Sequence, residues 1–167
     1  MSTSGDMRGH DRQRKDRQIE EVVHDPYAER HKPSGPAVCP GCGALFENGH
    51  WRWMPVPAAA KAHLCPACHR VRDEYPAGYV TLSGAFLGEH RDEILGLVRN
   101  EETRAKSEHP LERIIQISEG DGEITITTTD IHLPRRIGEA LKHAWHGDLE
   151  LKYAPDEYRI RVHWQRG

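Results

Sequence analysis

All four cysteines of the chain fall in two C-x2-C pairs, Cys39-Pro-Gly-Cys42 and Cys65-Pro-Ala-Cys68. Nothing else in the sequence restricts the fold as tightly, because four thiolates set in two such pairs are what a tetrahedral zinc ion requires. Each pair places two sulfurs on a tight turn, and Gly41 and Gly43 supply the backbone freedom of the first. The 22 residues between the pairs slightly exceed the usual spacing of about 15–20, a difference that one extra hairpin turn absorbs. One structural Zn2+ held by Cys39, Cys42, Cys65 and Cys68 is therefore expected. A site closed by four thiolates leaves no position open for water or substrate.

Three other uses of these cysteines compete with zinc. Cys65-Pro-Ala-Cys68-His69 also matches the C-x-x-C-H signature of covalent c-type haem, with His69 as the iron ligand. That chemistry needs export, and the residues after Met1 run into Gly5-Asp6-Met7-Arg8 and a charged stretch without an apolar signal region, so a cytoplasmic location is expected. A redox reading of Cys39-Pro-Gly-Cys42 wants a buried strand before the motif and a long helix after it. Lys32-Pro33-Ser34-Gly35-Pro36 precedes instead, and Gly43 follows. Disulfides are disfavoured in a reducing compartment.

With 167 residues, of which 37% are apolar, and a mean hydropathy of −0.76, the chain suits one modest α+β domain with a small appendage. No apolar run approaches the ~20 residues of a membrane helix. The net charge of −3 excludes a simple polycation, so nucleic-acid binding would need a local patch.

Four segments follow from the pattern. Residues 1–36 are expected to form a flexible, disordered charged arm, with a short helix possible over Arg12–His24 and a proline-bounded basic stretch carrying Arg30 and Lys32. Residues 37–75 are the zinc ribbon, in which Glu47-Asn48-Gly49 predicts a hairpin that puts Trp51 and Trp53 on one face. In residues 76–110, Tyr75-Pro76-Ala77-Gly78-Tyr79 reads as a turn, followed by an amphipathic connecting helix over Phe86–Ser107. Residues 111–167 predict a ββαββ unit, an antiparallel sheet with one helix on its apolar face. Asp130 caps that helix and Gly147 ends it. Ile137, Leu141 and Trp145 pack on Ile124, Ile126, Leu151, Ile160 and Val162.

The period of these elements leaves Lys152, Arg159, Arg161 and His163 on the outer sheet face, and Arg135 and Arg136 near a helix start where phosphate is favoured. Trp51 and Trp53 either cover a miniature core around the metal or form a stacking platform with Arg52 and His50. No hydrolase, phosphate-loop or zinc-protease motif occurs, and no cysteine is left as a nucleophile, so no enzyme is expected. Asp130 and His132 beside Thr128 and Thr129 form the one polar cluster of note, which reads as a cap.

From Val38 to Val162 the order of elements resembles a group of small bacterial zinc-ribbon proteins. It also resembles the N-terminal part of the archaeal and eukaryotic adaptor family for late assembly and export of the large ribosomal subunit. The residues that carry this are Cys39-Pro-Gly-Cys42-Gly43, Cys65-Pro-Ala-Cys68 and Thr127-Thr-Thr-Asp130-Ile-His132-Leu-Pro-Arg135-Arg136-Ile-Gly138. The resemblance implies a factor associated with RNA or the ribosome. The leading expectation is accordingly a non-enzymatic protein that docks on structured RNA through Arg30, Lys32, Trp51, Arg52, Trp53, Arg135, Arg136, Arg159 and Arg161. A protein–protein adaptor in regulation or transcription, and a thiol switch that releases zinc on oxidation, are the rivals.

Overall fold

The computed structural model describes residues 24–167. The expected helix over Arg12–His24, His24 aside, and the basic residues before it lie outside the described residues. Residues 24–36, expected within the flexible arm, are placed against the ribbon. A short helix α1 (Pro26–Arg30) starts where Asp25 accepts the N–H of Tyr27 at 3.0 Å. It is held by the buried Arg70, which donates to Asp25 at 2.7 Å and lies 4.3 Å from the centre of the Tyr27 ring. His31 stacks on His69 with ring centres 3.5 Å apart. Charges that looked solvated in the sequence thus meet specific partners in the second knuckle.

The ribbon is a sheet of four very short strands in the order β3-β2-β1-β4: β1 (Ala37–Val38), β2 (Leu45–Glu47), β3 (His50–Arg52) and β4 (Lys61–Ala62). The predicted Asn-Gly hairpin joins β2 to β3, with Asn48 and Gly49 both at positive φ as such a two-residue turn demands. Helix α2 (Pro66–Asp73) follows the second cysteine turn, with Pro66 in its first turn and the thiol sulfur of Cys65 accepting the N–H of Cys68.

The C-terminal part is a mixed sheet of five strands in the order β6-β7-β5-β9-β8, with its long helices on one face. Its strands are β5 (Gly78–Ser83), β6 (Ile114–Gly120), β7 (Glu123–Thr128), β8 (Asp148–Tyr153) and β9 (Ile160–Gln165). The two expected hairpins and the helix between them, α5 (His132–Trp145), are present. The ββαββ expectation is corrected by β5, which enters between the hairpins, antiparallel to β7 and parallel to β9. Two hairpins alone would leave β7 and β9 as unpaired edges; the added strand satisfies both. The expected connecting helix is two helices, α3 (Ala85–Glu89) and α4 (Arg91–Glu108), broken at His90.

One core joins these elements. Ile94, Val98 and Ala105 of α4, Ile137 and Leu141 of α5, and Val80, Leu82, Ile124, Ile126, Ile160, Val162 and Trp164 of the sheet are all buried. Trp145 is half-buried against them. Leu151 is corrected: it is 37% exposed, near the end of an edge strand, and Leu149 packs inward in its place. Gly138 lets the helix approach, since a Cβ there would lie 2.7 Å from Leu149 Cδ1 and 2.9 Å from Val162 Cγ1.

Candidate metal centre and surrounding surfaces

The two knuckles bring all four thiol sulfurs within 4.8 Å of one another. Cys39 Sγ lies 3.6 Å from Cys68 Sγ, and Cys42 Sγ 3.8 Å from Cys65 Sγ. A tetrahedral ion with metal–sulfur bonds of about 2.3 Å separates its ligands by about 3.8 Å, so the set fits a four-thiolate metal ion. Among the described residues no other group of histidine, cysteine or carboxylate side chains gathers three ligand atoms. His69 is outside the set; its ring stacks on His31 and meets Arg72 at 3.0 Å.

Backbone and side-chain donors already point at the sulfurs. The N–H of Cys65 donates to Cys39 Sγ at 3.2 Å and that of Cys68 to Cys65 Sγ at 3.3 Å. From the start of the large sheet, Arg113 reaches back and donates Nη2 to Cys65 Sγ at 3.1 Å and to Cys68 Sγ at 3.3 Å. A cation beside two thiolates offsets the net negative charge of a four-thiolate ion. In the thiol form, burial pushes Cys68 up. The hydrogen bond between Cys42 and Cys65 lowers Cys42 to about 5 and raises its partner. One member of that pair is poised to give up its proton as a metal binds. Ala44 and Ala67 with the half-buried Trp51 and Leu64 wrap the centre, and Leu111 seals it from the side of the large sheet.

No protein-family model, curated protein or solved structure matches the chain. Its chemistry must therefore be read from its own surfaces.

The side chains expected to meet a partner are scattered. Trp51 is half-buried on Phe46, with ring centres 5.3 Å apart, while Trp53 is exposed and donates its indole N–H to the carbonyl of Lys106 at 2.6 Å. The two tryptophans do not form one platform. Arg30, Lys32 and Arg52 are exposed. Arg135 is bonded to Glu139 at 3.0 Å, and Arg136 pairs with Glu101 of α4 at 3.3 Å. Arg159 pairs with Glu157 at 3.3 Å. Arg161 differs, because its guanidinium lies 4.5 Å from the centre of the Tyr79 ring on the open face of the sheet.

Strand register turns that stack into a row. Gln116, Thr127, Tyr79, Arg161 and Lys152 are successive cross-strand partners spanning all five strands, with no carboxylate among them. The next row holds Ser118, Thr125, Thr81, His163 and Glu150, so carboxylates return there, and Glu123 and Asp148 follow beyond it. Tyr79 was not foreseen, since its strand was read as a turn. Arg113 had no signal at all, because 48 residues separate it from Cys65.

Proposed function

We propose that the chain is a non-enzymatic, zinc-stabilised protein that binds RNA through the open face of its five-stranded sheet, with the ribosome as the setting that its resemblance suggests. Zinc is the metal that best suits four reduced thiolates in tetrahedral array. The observation that carries the RNA reading is the carboxylate-free row Gln116–Thr127–Tyr79–Arg161–Lys152. Sheets that hold unpaired bases do so with aromatic rings and guanidinium planes on their central strands, while neighbouring cations meet phosphate and amides or hydroxyls meet base edges. Tyr79 lies on the middle strand, Arg161 stacks on it, and Lys152 lies next along the row. The carboxylates beyond this row, Glu150 in the next and Glu123 and Asp148 after it, would repel a strand from one side and so orient it along the first.

The test is fluorescence anisotropy of the zinc-loaded chain with labelled single-stranded and duplex RNA over a range of salt. Loss of one stacked base is worth about 1–3 kcal/mol, so Tyr79→Ala and Arg161→Ala should each weaken single-strand binding by roughly 5- to 150-fold. Removing the Lys152 contact should reduce the log–log salt slope by about 0.7. Binding that is unchanged in both stacking variants, or undetectable at low salt, would exclude this face. The exposed apolar loop Trp53-Met54-Pro55-Val56-Pro57 would then favour a protein-adaptor role.

A further inference from the structure

A cleft of about 450 Å³ opens between the ribbon, α1 and the segments that lead into β6 and α5. Its volume is in the range of small-ligand sites. Two carboxyl groups line it without adequate partners. Asp130 is 4% exposed; Oδ2 accepts the N–H groups of His132 and Leu133 at 2.8 and 3.1 Å, but Oδ1 is buried with no donor. Glu112 is 8% exposed, and no hydrogen bond reaches its carboxylate from the described residues; the ring of His109 stands off at 3.8 Å. Burial and then the charge of Glu112 push Asp130 up to about 7. A buried acceptor left unpaired, as Asp130 Oδ1 is, is costly, and a positive donor shared with the neighbouring Glu112 would satisfy it.

Lys32 and the rings of His24, His50, His109 and His132 line the cleft, but among the described residues none of their side chains forms a hydrogen bond to either carboxyl group. Of the other acids in the cleft, Asp25 is taken by Arg70 at 2.7 Å and Glu29 is exposed, while Arg136 is held by Glu101. A metal ion is disfavoured because the two carboxylates share no third ligand atom in coordinating range. Anions are repelled by the same carboxylates. Part of the remaining wall is aromatic, with Phe46 and Trp51 from the ribbon and Tyr158, surfaces that suit a cation carried on an apolar stem.

We propose that this cleft binds a compact organic cation, a primary ammonium or guanidinium group, whose N–H donors meet the Asp130 and Glu112 carboxyl groups while its methylene stem lies along Trp51. Such a group comes either from a free small amine or from a lysine or arginine side chain of a polypeptide. The proposal is independent of the sheet face and its RNA.

Calorimetric titration of the zinc-loaded full chain at mildly alkaline pH distinguishes these sources. The probes are agmatine, cadaverine, an arginine tetrapeptide with blocked ends, and butylurea as a neutral analogue without an amine. At least one cation should bind while the neutral analogue does not. Binding by agmatine or cadaverine points to a metabolite, and binding by the peptide alone to a protein partner; either supports the site. Asp130→Asn keeps an acceptor for the two backbone N–H groups yet should weaken binding by about tenfold or more, the worth of a hydrogen bond to a charged group. Glu112→Gln should act the same way and serves if the first variant folds poorly. Equal affinity for charged and neutral probes, no binding by any cation, or unchanged affinity in the folded variants would overturn the assignment.

Discussion

Arg113 Nη2 stands 3.1 Å from Cys65 Sγ, which ties the metal centre of the small ribbon to the first edge strand of the large sheet. The same nitrogen donates to Cys68 Sγ at 3.3 Å, so both sulfurs of the second knuckle accept from one guanidinium. Metal binding and the docking of the ribbon on the sheet are therefore linked through a single side chain.

That link predicts a graded loss of metal. Outer partners of ligands typically change affinity by about 10- to 100-fold, and Arg113→Met should weaken zinc binding by this order in competition with a chromophoric chelator. Arg113→Lys should recover part of the loss by restoring charge without the fork. Equal affinity in all three proteins would show that the guanidinium is a bystander.

Metal content gives a second prediction. Elemental analysis of reduced protein should find one zinc per chain, and its removal should expose the ribbon, because structural zinc contributes roughly 10–16 kcal/mol in small modules. Hydrogen exchange after chelation should lose protection at Cys39, Cys65 and Cys68, whose N–H groups bond inside the site, while β5–β9 amides keep theirs. Loss of protection across both sheets at once would mean that the two parts unfold together.

These relationships differ in how far the sequence announced them. The thiol set was legible because its spacing encodes its geometry, and α5 was legible because Asp130 and Gly147 mark its ends. Strand β5 was hidden by Pro76-Ala77-Gly78, which has the composition of a turn. Gly78 is required there for close approach instead: a Cβ would lie 2.2 Å from Thr128 Oγ1 and 2.3 Å from Pro134 Cγ. The strand signal was nonetheless present, with Val80 and Leu82 buried between Tyr79, Thr81 and Ser83. Arg113 and the pairing of Arg136 with Glu101 depend on tertiary placement, to which no local pattern is sensitive.

The core yields a third prediction. Leu141 is fully buried at 0% exposure between α5 and the sheet, so Leu141→Ala should cost about 2–5 kcal/mol in urea unfolding. Leu151→Ala, at a position 37% exposed, should cost well under that. Equal losses at the two sites would contradict the packing described.

The last prediction concerns pH. Burial, with the charge of Glu112, raises Asp130 from 3.8 to about 7 in the folded chain. Above the unfolded value the unfolded chain has released this proton while the folded chain retains it, so the unfolded state gains relative stability as pH rises. The loss grows by about 1.4 kcal/mol per pH unit and levels off above the folded value. Asp130→Asn abolishes the titration but keeps a carbonyl to accept from His132 and Leu133. Urea unfolding with excess zinc should therefore show the variant gaining on the wild type steadily from about pH 5 to about pH 7, and no further above that. Thiolate protonation and zinc loss act equally on both proteins and cancel in the difference. A constant difference across the range would mean that Asp130 is ionised in the folded chain as it is in water, and that the cleft already holds its counter-charge.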